Sequence, residues 1–256
     1  MTMLLYPVTQ GIKTFILKIQ FIAARRMHLK QCISIIFIMG LSIRMAYSQS
    51  FSQPNYALKS HETLEIGKIK ITPGESVVYL TIENRIAGGE FCADKNIFIV
   101  YPDLTKVRLV SSSGIPACPA TFKFKSVGEK IDFTLTFPPL REGTQWIDLI
   151  EDCQDNCFSF YGITLDDVIN KKVNEAIGLA EEGKSTESIK LYKQLLGELK
   201  GMNHGMEGSL YSELIILLNK SGKKEEAKEW FGNLVSSDAP GKEKFIRNLR
   251  SRGIKF

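Results

Sequence analysis

The residues of this chain with the most chemistry in reach are its cysteines, and their spacing decides which chemistry that is. There are five: Cys32 lies in an apolar leader, and Cys92, Cys118, Cys153 and Cys157 follow it. Four thiolates could hold zinc, but C-x25-C and C-x3-C lack zinc-finger spacing. A redox pair would want C-x-x-C at a helix start, whereas Cys153 and Cys157 stand between strand-like runs. An even count behind an export leader favours disulfides, since oxidising compartments pair thiols. Three pairings are possible. Cys92 with Cys118 and Cys153 with Cys157 is preferred, because each joins segments close in sequence. In the chain-entropy account the longer loop contributes about 3.6 kcal/mol and the small ring about 2 kcal/mol.

The other reactive groups do not assemble into a site. Asp148, Glu151, Asp152 and Asp155 crowd the last loop of the strand-rich half, and oxygen clusters of this kind can bind calcium. Their order does not follow D-x-[DN]-x-[DN]-G, so a solvated acidic loop is expected. His61 and His204, the histidines beyond the leader, fall in different halves and build no triad. Trp146, Phe158 and Tyr161 could stack on a sugar, but their alternating runs assign them to a core. No catalytic motif, metal site or cofactor is expected. The leading class is a non-enzymatic interaction protein; a thiol-disulfide enzyme and a carbohydrate-binding module stand behind it.

Charge points away from nucleic acid. The net charge is +5, but Lys13, Lys18, Arg25, Arg26, Lys30 and Arg44 lie within residues 1–48, which hold no acid, and without those six bases it is −1. From Met27 the chain reads MHLKQ, then CISIIFIMGL, then SIRMAYSQS: a basic n-region, an apolar h-region and a small-residue cleavage site ending at Ser48. That is the pattern of a signal peptide. The apolar run is well short of the roughly twenty residues that span a bilayer. Residues 1–26 read as an upstream extension. Export to the periplasm or envelope of a Gram-negative bacterium follows.

The elements that would position these groups are of two kinds. Eight short β-prone runs recur at 63–71, 77–83, 96–101, 106–110, 121–124, 131–137, 146–150 and 157–165, after a polar lead-in over 49–60. In the sixth, Ile131, Phe133, Leu135 and Phe137 alternate with Asp132, Thr134 and Thr136, the period of a strand with one buried face. Turn signals such as Pro73-Gly74, Pro102-Asp103, Ser113-Gly114 and Gly128-Glu129 punctuate the runs. Gly162, inside the last run, suggests a bulge or a close backbone approach. Strands at this spacing predict an antiparallel sandwich of immunoglobulin-like size, with a closed barrel as the alternative.

From Asp166 the period becomes helical. Val168, Val173, Ile177 and Ala180 mark one helix, with Asp166 or Asp167 as its N-cap and Gly183 at its end. Ile189 to Leu199, Leu210 to Leu218 and Ala227 to Leu234 mark three more, and residues 242–250 a capping fifth. The expected architecture is α+β in two domains: a leader over 1–48, a sandwich over 49–165 and a helical-hairpin array over 166–256.

Two resemblances attach to these residues. The series LTIENR, FTLTFPPL, WIDLIE and CFSFYGITL, within about 60–165, resembles the small exported immunoglobulin-like sandwich domains of Bacteroidota envelope proteins. It implies a fold and an envelope setting and transfers no active site. In residues 166–236, Gly183 and Gly222 recur 39 residues apart, with Ser188 and Tyr192 answered by Ala227 and Phe231. This resembles tetratricopeptide repeats, although the connection over 200–208 is longer and Ser188 replaces an alanine.

The resemblance to repeats implies a partner: a protein or peptide of the cell envelope, bound on the inner face of the first and third helices. Asn170, Asn174, Glu181, Asn203, Glu207 and Ser212 are the candidate contacts, polar groups able to read a peptide backbone. The chain ends KEKFIRNLRSRGIKF. A basic amphipathic segment can touch an anionic membrane, but a capping helix with a solvated basic face is the expectation.

Overall fold

A computed structural model describes residues 48–254 and 256. The expected signal peptide, the expected start at Met27 and Cys32 lie outside them. The described chain is α+β, with antiparallel sheets followed by helices. The strands are β1 (Gln49–Ser52), β2 (Leu58–Lys59), β3 (Leu64–Ile71), β4 (Ser76–Glu83), β5 (Glu90–Phe91), β6 (Ile97–Val100), β7 (Lys106–Arg108), β8 (Ser111–Ser113), β9 (Phe122–Lys123), β10 (Lys130–Phe137), β11 (Trp146–Glu151) and β12 (Ser159–Thr164). One five-stranded sheet has the order β1-β3-β4-β10-β8, the other β2-β12-β11-β6-β7, and β5 pairs with β9. Both large sheets are open, so the barrel alternative is set aside.

Alternation places the core. Val78, Leu80 and Ile82 of β4 and Phe133, Leu135 and Phe137 of β10 are buried on one side, with Ile97, Ile99, Ile147, Leu149, Phe160 and Ile163 of the second sheet in the same cluster. The long β4–β10 register, from Lys130 opposite Glu83 to Phe137 opposite Ser76, sets Val78, Leu80 and Ile82 on the same face as Leu135, Phe133 and Ile131. By contrast β12 is buried on nearly every residue, Tyr161 alone being half-buried, because its outer face meets the helices.

Four strands escape the sequence reading. Residues 49–60, expected as a polar lead-in, contain β1, which pairs with β3, and β2, which pairs with β12. Ser111–Ser113, expected at a turn, forms β8 against β10, and Glu90–Phe91 forms β5. These are short or serine-rich segments whose hydrogen bonds are supplied by a neighbour's edge.

The helices are α1 (Asp167–Glu181), α2 (Ser185–Glu198), α3 (Glu207–Lys220), α4 (Lys224–Ser236) and α5 (Lys242–Ser251). Asp166 caps α1, its Oδ1 accepting from the N–H groups of Val168 at 2.8 Å and Ile169 at 3.1 Å. The α1–α2 and α3–α4 turns are built alike. Gly183 and Gly222 both have φ +78°, and the next residue donates back, Lys184 to Leu179 O and Lys223 to Leu218 O. Ser188, where alanine was expected, is fully buried, and its Oγ donates to Ala176 O at 2.7 Å. A serine is tolerated at that crossing because the bond satisfies its hydroxyl.

Sheets and helices belong to one compact unit. Asn55 and Asn170 join them through side chain and backbone: Asn170 Oδ1 accepts from Asn55 N at 2.8 Å and Nδ2 at 3.0 Å. A second tie runs from Trp146 Nε1 to Asn203 O at 2.5 Å. Between them Gly162 meets Gly205, where a Cβ on Gly162 would stand 2.3 Å from Gly205 O.

Candidate functional site

The α2–α3 connection, longer than a repeat turn requires, is the segment that shapes the helical surface. Gly201, Asn203 and Gly205 all adopt left-handed φ, +78°, +53° and +76°, so the chain curls inward and lays Gly205 on the Trp146 ring. A Cβ on Gly205 would be 2.7 Å from Trp146 Cδ2, which glycine alone avoids. The loop then enters α3 with Glu207 Oε1 accepting from His204 N at 2.7 Å. Glu207 Oε2 is shielded from water and has no hydrogen-bond donor.

Beside this loop lies a cleft of about 660 Å³ between α2, α3 and α4. Tyr211 and Trp230 form its aromatic floor, half-buried, with ring centroids 6.0 Å apart and planes at 48°. Leu196 and Leu199 supply apolar wall, while Asn203, Glu207, Asn233 and Asp238 supply polar groups. Burial, and then the Glu207 charge, push the Tyr211 hydroxyl up from its ordinary range. Lys193 is ion-paired with Glu226. A second, shallower depression of about 340 Å³ touches the first at Asn203 and extends across Met202 to Arg141 and Tyr101 of the sheet region.

The expected contact residues do not converge. Asn170 is buried, with Nδ2 donating to Thr164 O at 3.0 Å besides its bonds to Asn55, so it is a structural tie and no free donor. Ser212 is buried too, its Oγ without a partner. Asn174 and Glu181 are exposed on α1, away from the cleft residues. Asn203 and Glu207 do line it. The cleft is thus walled by α2, α3 and α4 rather than by α1 and α3. Helical spacing reads Trp230 as core and leaves Tyr211 outside the apolar stripe of its helix; that both sit beside polar positions on facing helices was the available signal.

Of the acidic cluster, Asp152 and Asp155 are exposed in the loop after β11, while Asp148 and Glu151 are placed differently from expectation. Asp148 is half-buried at a register shift between β11 and β12, where its Oδ1 accepts from Gly162 N at 2.7 Å. Glu151 is buried, accepting from Asp94 N at 2.7 Å and Phe158 N at 3.1 Å. Each replaces a missing ladder partner, so neither belongs to a solvated loop. Burial pushes both carboxyls up, against the pull of those backbone donors. Among the described residues no group of three His, Cys, Asp or Glu is placed to hold a metal.

Cys92 is bonded to Cys118 and Cys153 to Cys157. Glu151 connects the two, since Asp94 follows the first bridge and Phe158 the second. Trp146 and Phe158 are core residues, and Tyr161 lies beneath Lys244 Nζ, 3.3 Å from its ring centroid. Lys242 Nζ closes the end of α4, donating to Val235 O at 2.9 Å and Ser237 O at 2.7 Å. The basic segment is a helix docked through Phe245, Ile246 and Leu249, with Arg247 and Arg250 exposed. No described helix is long and apolar enough to cross a membrane.

Compared with protein-family models, with curated proteins and with solved structures, the chain finds no match.

Proposed function

We propose that the chain is an exported, non-enzymatic module in which an immunoglobulin-like sandwich supports tetratricopeptide-like hairpins, and that these hold a segment of an envelope protein or peptide. The strand order supports the first part: β3-β4-β10-β8 faces β12-β11-β6, the A-B-E-D and G-F-C arrangement of that fold. Two disulfides suit an oxidising compartment, in line with the leader. The repeated turn at Gly183 and Gly222 supports the hairpin reading.

The observation that carries the binding role is the cleft with Tyr211 and Trp230 at its floor. Ring faces flanked by amides and carboxylates give apolar contact and orientation together, the composition of ligand pockets. Its continuation at Asn203 toward the sheet offers the length an extended segment needs.

The test is selection of a displayed peptide library on the oxidised chain, followed by Trp fluorescence titration with the recovered peptides. Binding that is abolished in Trp230→Ala and Tyr211→Ala, both folded by circular dichroism, is the expected result. Recovery of no peptide, or equal binding by the variants, would refute the role.

A further inference from the structure

The charged groups of the cleft are unevenly paired, and that chemistry selects among partner segments. Resting on the binding role above, we infer that it takes a cationic side chain, an arginine or lysine of the bound peptide, seated on the Tyr211 and Trp230 rings.

Three features converge on a cation. The first is the floor. Two half-buried, tilted rings with centroids 6.0 Å apart line it, and the π systems of such rings attract ammonium and guanidinium groups. The second is Glu207. One of its carboxylate oxygens is occupied by the His204 N–H, but the other has no donor and is shut off from water. A charge in that state is poorly screened, and its field reaches into the cleft it lines. The Tyr211 hydroxyl, raised first by burial and then by Glu207, lies within reach of that charge.

The third feature is the rim. Asp238 adds a second carboxylate, and the last turn of α2, around Leu196 to Leu199, presents the negative end of its dipole. The end of α4 contributes less, because Lys242 already neutralises it. Two cations also line the cleft, and both must be weighed. Lys193 is paired with Glu226, and Lys200 and Asp238 are both exposed and offset one another, so Glu207 sets the sign inside. A neutral or acidic side chain would leave the Glu207 charge uncompensated, while a basic one supplies what it lacks.

The decisive measurement is a positional-scanning heptapeptide array probed with the labelled oxidised full chain, at low and high salt. Signal concentrated on spots with fixed arginine or lysine, absent from citrulline spots and lost in Trp230→Ala, is the expected outcome. Glu207→Gln keeps an oxygen for the His204 N–H while removing the charge, and should weaken basic peptides about tenfold, roughly 1.4 kcal/mol. Asp238→Asn, an exposed position, should weaken them in the same direction and serves if Glu207→Gln melts early. Cleft binding that is lost in Trp230→Ala yet indifferent to arginine, citrulline and both charge variants would overturn the cation and leave the peptide role standing. No binding that depends on Trp230 would overturn both.

Discussion

Replacing Asn170 with alanine should destabilise the whole chain, although the residue was expected on a partner surface. Its side chain makes three hydrogen bonds, accepting from Asn55 N and Nδ2 and donating to Thr164 O. Truncation leaves the Asn55 N–H and the Thr164 carbonyl without partners, and each such group costs about 1–3 kcal/mol where water is excluded. Asn55 is half-buried, so water recovers part of its share. The net loss should be about 2–4 kcal/mol. With a urea m-value of about 2 kcal/mol/M the midpoint falls by about 1–2 M at unchanged slope. Asn174→Ala, one turn further along α1 and exposed, is the control, expected within about 0.5 kcal/mol of the parent. Equilibrium urea unfolding, followed by Trp fluorescence and far-ultraviolet circular dichroism together, measures both. Midpoints for the two variants within about 0.2 M of each other would refute the reasoning and return Asn170 to the surface.

Gly162→Ala should cost about 3 kcal/mol or more, since its Cβ meets backbone at 2.3 Å, whereas Gly143→Ala, also at positive φ but in open space, should cost roughly 1–2 kcal/mol in the same unfolding assay. For Glu151 the folded carboxyl is raised by burial, so the native state holds the proton more tightly and stability falls as pH rises from the unfolded value through the folded one. Glu151→Gln should remove that slope and, by presenting an amide N–H to a backbone donor, lose about 1–3 kcal/mol at neutral pH, read from melts at several pH values. Asp103 behaves oppositely. The Thr105 hydroxyl, then Arg141, hold its carboxyl down at about 2, so its contribution is present above the ordinary range and lost as pH falls toward that value. Carbon-detected titration should show Thr105→Val raising it; no change would refute that assignment.

How much was legible before the fold was known depended on whether the signal was periodic. The alternation of Ile131 to Phe137, the helical spacing from Val168 to Leu234 and the glycines that end helices are local facts, because a strand or helix repeats along the chain. The close sequence spacing of the cysteines also favoured the bonds the structure carries. Tertiary structure decided the rest. Asn170, Glu151 and Asp148 are polar residues whose patterns say surface, and each is drawn inward by a partner distant in sequence or by a gap in a ladder. A polar side chain is stable inside only when such a partner exists, and the sequence does not print that pairing. The cleft is of the same kind: Tyr211 and Trp230 become a floor only when α2, α3 and α4 pack and the loop over 199–206 turns onto Trp146, leaving both rings half-buried. Periodicity determined which elements form, while long-range packing determined which of their faces are left to meet a partner.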